Sequence, residues 1–193
     1  MMEKHIIPAS FTFYSGGANG SDIVWEKVAN EYKANFFVMS FKGHSLKKKS
    51  LGLIELTPNQ LEKSQEYIRH ANSTLCRNIN NLSNYSLKLL QRNWYIVKDV
   101  DAVFAITYLE KNFSICKGGT GWPVQMAIDH KKLVYVFDIN MNKWLYFVPE
   151  KNKFVEYKLG IPKLYASSAL IGTRNITECG KKAIRDIFKA TFG

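Results

Sequence analysis

Three glycine-rich turns hold the residues of this sequence that could do chemistry. The first reads SGGANGSD at positions 15–22, the second GGTG at 118–121 and the third GTRN at 172–175. Each follows an apolar run typical of a buried strand and precedes a segment with helical periodicity. Glycines at such a junction expose backbone N–H groups, and the helix that follows adds partial positive charge. The expected guest is therefore a phosphate or another anion.

A single turn of this kind would be equally compatible with a glycine cap that binds nothing. Three of them in one small domain favour a shared site, because the carboxyl ends of neighbouring parallel strands lie at one edge of a sheet. Arg174 is the side chain we expect to contribute most, since its guanidinium offers a fork that fits phosphate. The ligand-binding residues predicted from the turns are Ser15, Gly16, Gly17, Asn19, Gly20, Ser21, Asp22, Gly118, Gly119, Thr120, Gly121, Gly172, Thr173 and Arg174.

The composition predicts one soluble, cytoplasmic domain. The chain has 193 residues, of which 46% are hydrophobic, and no apolar run approaches the ~20 residues needed to span a bilayer. Its three cysteines lack paired spacing, so we expect reduced thiols, no metal site and no resident cofactor. The net charge of +11 favours anionic partners. Its densest run, Lys47, Lys48 and Lys49, fits either a nucleic-acid contact or a solvated loop.

Apolar runs alternate with helical patterns along the chain, which predicts an α/β fold. Thr57, Pro58 and Gln60 form a strong helix start, from which one helix is expected to run to about residue 75. Residues 41–56 are interpreted as a polar excursion, in which His44 is either a phosphate contact or an exposed loop residue. Predicted strands cover residues 11–14, 35–40, 102–107, 133–138 and 165–171, and predicted helices cover residues 22–32, 57–75, 86–97, 122–130 and 177–191.

Together, the three turns resemble those of the SLOG superfamily of Rossmann-like proteins. This superfamily includes the LONELY GUY phosphoribohydrolases, the DNA-processing protein A family and the YpsA-like proteins. The turns at 15–22 and 118–121 resemble its second-strand glycine motif and its later double-glycine turn. The segment 171–174 is similar to the first-strand turn of DNA-processing protein A, and Arg92 with Asn93 resembles an Arg–Asn pair of that family. The resemblance covers most of the chain except residues 41–56 and 140–158.

The motif that opens the chain in those relatives closes it here, which resembles the circularly permuted YpsA-like branch. The resemblance implies one domain over residues 1–193, a Rossmann-like three-layer α/β fold with a mainly parallel five-stranded sheet. The last predicted strand is expected at its centre, in the order 35–40, 11–14, 165–171, 102–107, 133–138. Residues 140–158 are expected to form a small inserted β-ribbon, either a flap or a dimer contact in a homo-oligomer.

The resemblance also bears on catalysis. LONELY GUY enzymes carry a catalytic glutamate four positions after the last glycine of the double-glycine turn, and this sequence has Gln125 there. Glutamine cannot act as a general base, so we expect binding rather than catalysis, with Gln125 contacting a ribose or base. Asp22 or Asp138 could replace the missing carboxylate, although each also fits a structural role at the end of an element.

Three hypotheses follow for function. The first is a protein that binds a nucleotide or nucleotide-derived small molecule as a sensor or a sequestering protein, because SLOG members recognise nucleotide signals, including those of antiviral systems. The second is a nucleoside-monophosphate phosphoribohydrolase or other N-glycosidase. The third is a single-stranded DNA-binding factor like DNA-processing protein A, for which we expect only weak, nonspecific, salt-sensitive binding.

Overall fold

The computed structural model of the protein describes residues 6–46 and 50–193. Besides two short 3₁₀ turns, it contains fourteen helices and strands within those ranges. In chain order they are β1 (Thr12–Ser15), α1 (Ser21–Glu31), β2 (Asn35–Phe41), β3 (Leu53–Leu56), α2 (Pro58–Lys63), α3 (Gln65–Leu75), α4 (Asn84–Val97), β4 (Ala102–Thr107), α5 (Gly121–Asp129), β5 (Leu133–Asp138), β6 (Lys143–Val148), β7 (Lys153–Glu156), β8 (Ser167–Gly172) and α6 (Glu178–Phe192).

The strands form one mixed sheet with β8 near its centre. The order is β3-β2-β1-β8-β4-β5-β6-β7, and all neighbours from β3 to β5 are parallel. Strand β8 lies between β1 and β4, the position of the first strand in a doubly wound sheet of order 3-2-1-4-5. The predicted α/β fold and the predicted order of the five central strands are therefore confirmed.

The sheet is wider than the sequence predicted, with eight strands rather than five. The polar excursion at 41–56 ends in strand β3, which pairs with β2 through Met39 and Ile54. The expected ribbon is not a flap but a hairpin that continues the sheet from β5. The first strand of this hairpin, β6, is buried on both faces of the sheet. Leu145 packs in the core on one face, and Trp144 packs in the core on the other. That this hairpin also forms a dimer contact stays a prediction.

Helices cover both faces of the sheet. One face packs against α2 to α5, and the other packs against α1 and α6. All six residues of β4 are buried, with Val103 and Ala105 facing the first layer and Phe104 and Ile106 facing the second. This double burial explains why β4 is apolar at every position except Thr107 at its end. No helix in the described ranges is long and apolar enough to cross a membrane.

The helix predicted over residues 57–75 is interrupted. Its expected start is confirmed, since Thr57 Oγ1 accepts a hydrogen bond from the Gln60 N–H and Gln60 Oε1 accepts one from the Thr57 N–H. Ser64 then separates α2 from α3, and its hydroxyl donates to the Leu61 carbonyl at 2.6 Å. A side chain that bonds its own helix backbone favours such a bend.

Candidate functional site

A cavity of about 760 Å³ lies at the carboxyl ends of the central strands. All three glycine turns and one face of α4 border it. Most of the predicted ligand-binding residues meet there, together with residues that the sequence did not single out. The predicted residues that line it are Gly17, Asn19, Asp22, Arg92, Asn93, Gly118, Gly119, Thr120, Gly172, Thr173 and Arg174.

The first and third turns are fastened to each other. The N–H and the hydroxyl of Ser21 both donate to the Thr173 carbonyl, at 3.0 and 2.9 Å. Gly20 has φ +87°, and a Cβ there would stand 2.2 Å from the Arg174 carbonyl oxygen. The Trp25 indole N–H donates to the Ile171 carbonyl at 3.0 Å. Gly20 and Ser21 therefore hold the edge of the cavity together and do not line it.

The second turn is held by Arg77. Its guanidinium donates to the carbonyl oxygens of Gly118 at 2.6 Å and Cys116 at 2.8 Å, and it lies over the Trp122 ring. Gly121 is pressed against the same guanidinium, because a Cβ there would stand 2.6 Å from Arg77 Nη2. Gly121 thus serves packing and lies outside the cavity lining. No motif in the sequence marked Arg77, which follows a helix in an irregular segment.

Gly118 and Gly119 differ from the other turn glycines. Both are exposed at the cavity, and a Cβ on either would meet nothing within 4 Å. Gly118 has φ +60°, a backbone conformation that favours glycine over residues with a side chain. Gly119 has no such constraint and faces open space. Helix α5 begins two residues later, and its first N–H groups are already used, because Gly121 donates to the Gly118 carbonyl at 3.1 Å and Trp122 to the Gly119 carbonyl at 3.2 Å. An anion beside Gly119 would therefore meet the positive end of the helix dipole rather than free N–H groups of the first turn.

Arg92 is buried at the floor of the cavity. Only 5% of the residue is exposed, and its Nε and Nη1 atoms have no hydrogen-bond partner in the described ranges. Gly16 makes room for it, since a Cβ at that position would stand 1.7 Å from Nη1. Burial lowers the pKa of Arg92 to about 10, and the negative charge of Asp22 partly opposes this. An unpaired buried cation of this kind calls for a bound anion.

Asp22 is the carboxylate nearest this arginine in the site. It is 5% exposed, its Oδ2 accepts a hydrogen bond from the Ala18 N–H at 3.1 Å, and its Oδ1 has no partner among residues 6–46 and 50–193. Burial raises its pKa to about 6, against the lowering effects of the Ala18 N–H, of Arg92, and of the neighbouring Ser15 hydroxyl and Gly16 N–H. The Ser15 hydroxyl is fully buried near this carboxylate but makes no hydrogen bond of good geometry with any described residue.

Gln125 does not reach the cavity, contrary to the prediction. It is buried on α5, and its amide nitrogen donates to Asp129 Oδ1 at 2.8 Å. Asp138 is also structural, because its carboxylate accepts from the N–H groups of Leu109 and Met141. The predicted residues that do not line the cavity are Ser15, Gly16, Gly20, Ser21, Gly121 and Gln125.

The remaining lining combines charged and apolar side chains. Arg77, Lys117 and Arg174 add to the positive charge of Arg92, and Asp22 supplies a carboxylate. The apolar lining residues include Leu82, Leu89, Leu90, Trp122 and Pro123. Within the described part of the chain, no three His, Cys, Asp or Glu side chains cluster as a metal site would require. Lys47, Lys48 and Lys49 lie outside the described residues.

Comparisons with known proteins bear on the fold. The sequence matches no protein-family model and no curated protein. Among solved structures, the chain is similar to one from Syntrophus aciditrophicus SB described as a "putative molybdenum carrier protein". The two share 16% identity over 96% of this chain and 97% of that chain, with a TM-score of 0.53. This likeness shows that the two chains share a fold along nearly their whole lengths.

Proposed function

We propose that the protein binds a nucleotide or nucleotide-derived small molecule in this cavity, with a phosphate at Arg92 and the glycine turns. The observation that carries the proposal is the buried Arg92 guanidinium, whose Nε and Nη1 lack partners in the described ranges. A phosphate would supply both the missing acceptors and the opposite charge. The open space beside Gly119 gives it room next to the start of α5.

The size and lining of the cavity favour a nucleotide over a bare oxyanion. A volume of about 760 Å³ is in the range of sites for drug-sized organic ligands. An inorganic ion would leave apolar lining residues such as Leu82 and Leu89 without a ligand group to contact. The name of the similar structure nevertheless makes molybdate a ligand to include in any test. The SLOG resemblance, supported by the shared fold and the strand order, suggests a sensor or a sequestering protein in nucleotide signalling.

Isothermal titration calorimetry tests the proposal. The panel is ADP-ribose, NAD, AMP, cyclic AMP, inorganic phosphate and molybdate. Arg92→Gln should weaken the best nucleotide at least about tenfold, the effect of losing a hydrogen bond to a charged group. Arg185→Gln, in an exposed arginine of α6 outside the cavity, is the matched control and should bind normally. Absence of binding by every nucleotide would reject the proposal, and molybdate alone binding would replace it with an oxyanion carrier.

A second candidate function, N-glycoside hydrolysis, rests on Asp22. A carboxyl group in the cavity with a pKa near 6 is suited to act as a general acid or base near neutral pH. The position that matches the catalytic glutamate of LONELY GUY enzymes cannot do so, because Gln125 is turned away and bonded to Asp129. If the protein is such an enzyme, nucleoside monophosphates should release free base. Asp22→Asn should abolish that release while leaving binding measurable.

Binding of single-stranded DNA is the remaining alternative. It would give affinity that falls steeply with salt and depends on Lys47, Lys48 and Lys49 more than on Arg174. The phosphate pocket proposed here makes the opposite prediction. Fluorescence anisotropy with a labelled oligonucleotide at two salt concentrations separates the two. The wild-type protein should be compared with the triple Lys→Glu variant and with Arg174→Ala.

A further inference from the structure

An aromatic cluster stands where the start of α4 borders the cavity, within reach of the charge of Arg92. It consists of Phe41, His44 and Tyr85 and is called here the aromatic corner. The rings of Phe41 and His44 are stacked, with centroids 4.8 Å apart and an interplanar angle of 14°. The Tyr85 ring meets Phe41 edge-on at 5.8 Å. His44 and Tyr85 line the cavity, whereas Phe41 is buried behind them.

Helix α4 connects this corner to the phosphate end. Tyr85, Leu89 and Arg92 are spaced by four and three residues, so they share one face of the helix, and all three line the cavity. Seven residues of helix separate Tyr85 from Arg92 by about 10 Å along the axis. An apolar stretch around Leu89 lies between them. This succession of charge, apolar surface and aromatic rings is matched by the phosphate, sugar and base of a nucleotide.

The polar atoms of the corner are only partly used. His44 Nδ1 is 3.2 Å from the Ser40 hydroxyl, which leaves its Nε2 for another partner. Burial and the charge of Arg92 lower the pKa of His44 to about 4, so the ring is neutral at physiological pH. The Tyr85 oxygen accepts from the Ser45 N–H at 3.2 Å, and its own O–H proton has no acceptor among the described residues. Neutral groups of this kind suit the edge of a heteroaromatic ring.

We infer that the aromatic corner is the subsite for the base of the ligand, with Tyr85 and His44 as the residues that contact the ring. This inference rests on the proposed function and narrows the ligand to a phosphate compound that carries a base. Sugar phosphates and inorganic anions would fill only the Arg92 end. His44 was interpreted from the sequence as an exposed loop residue or a phosphate contact, and the inference assigns it a different role.

The test compares ligands with and without a base by calorimetry. The probes are AMP, GMP, CMP, UMP and ADP-ribose against ribose 5-phosphate and inorganic phosphate. At least one probe with a base should bind roughly 5- to 150-fold more tightly than ribose 5-phosphate, the range that one base stacked on an aromatic side chain contributes. Tyr85→Ala and His44→Ala should each reduce that advantage and leave ribose 5-phosphate binding unchanged.

Tyr146→Ala is the matched control, because Tyr146 is exposed to the same degree as Tyr85, 38% against 39%, but lies on β6 outside the cavity. Thermal melting of each variant checks that the fold is kept. The inference is overturned if no base-containing probe exceeds ribose 5-phosphate, or if Tyr85→Ala weakens both classes equally. If none of the phosphate probes binds, the proposed function fails and the base subsite fails with it.

Discussion

Replacing Asp22 with asparagine is expected to stabilise the free protein at neutral pH. Burial raises the pKa of Asp22 from 3.8 to about 6. At 1.36 kcal/mol per pKa unit, keeping this group ionised in the folded state costs roughly 3 kcal/mol. Asparagine has the same shape without the charge, and its side-chain oxygen can still accept from the Ala18 N–H. The penalty should therefore disappear in the variant.

The sign of the pH dependence follows from the same pKa. Between pH 3.8 and about 6 the folded protein holds a proton at Asp22 that the unfolded chain has released, so stability falls as pH rises through this window. Above about pH 6 Asp22 is ionised in both states, and the full cost of burying its charge is present. The attraction of Arg92 for this carboxylate is already included in the shifted pKa. We expect a stabilisation of at most roughly 3 kcal/mol at pH 7.5 that shrinks toward zero near pH 4.

Urea unfolding followed by far-UV circular dichroism, repeated from pH 4 to pH 8, measures this difference. Asp101→Asn is the matched control, since Asp101 is exposed and should show little change across the series. A difference between wild type and Asp22→Asn that does not vary with pH would refute the reasoning. So would a variant that is less stable than the wild type at pH 7.5.

Other predictions concern the turns and the central strand. Gly20→Ala should lower the melting temperature far more than Gly43→Ala, because both glycines have φ +87° but only Gly20 abuts a carbonyl oxygen. Gly119→Ala should leave melting unchanged and weaken nucleotide binding in calorimetry, since its Cβ would enter open cavity space. Trp25→Phe should cost about 0.5–1.5 kcal/mol in urea unfolding by removing the hydrogen bond that the indole N–H donates to the Ile171 carbonyl. Removing residues from Tyr165 onward deletes β8, so calorimetric melting should lose its cooperative transition; a truncated chain that still melts cooperatively would contradict this.

The sheet centre could be predicted because its signals are local. Strand β4 is apolar from Ala102 to Ile106, and each glycine turn stands between a strand pattern and a helix pattern. The edge strands of the sheet could not be predicted in the same way. Strand β3 is short, with only Leu56 of its four residues buried, so no alternation or apolar run marked it. Hairpin residues Trp144 and Leu145 were recognised as a strand, but their place in the main sheet depends on tertiary packing.

The sequence predicted the glycine turns of the site and some of its side chains, such as Arg92 and Arg174, but not the role of each glycine or the full lining. The sequence cannot distinguish a glycine that makes room for a protein side chain, such as Gly16 beneath Arg92, from one that faces open space, such as Gly119. Arg77 and Tyr85 enter the site through contacts between distant segments, and no short motif contains either. Gln125 was misplaced because a position carried over from a resemblance does not fix which way the side chain of a helix residue points.

The central place of β8 has a consequence for how the protein is made. The ribosome completes β1 to β7 before β8, so the nascent chain carries two sheet fragments that cannot yet join. The edges they expose, β1 and β4, include side chains that are fully buried in the finished protein, such as Phe13 and Phe104. Unpaired apolar edges of this kind attract other chains. We therefore expect nascent chains of this protein to depend on chaperones until β8 is synthesised and closes the sheet.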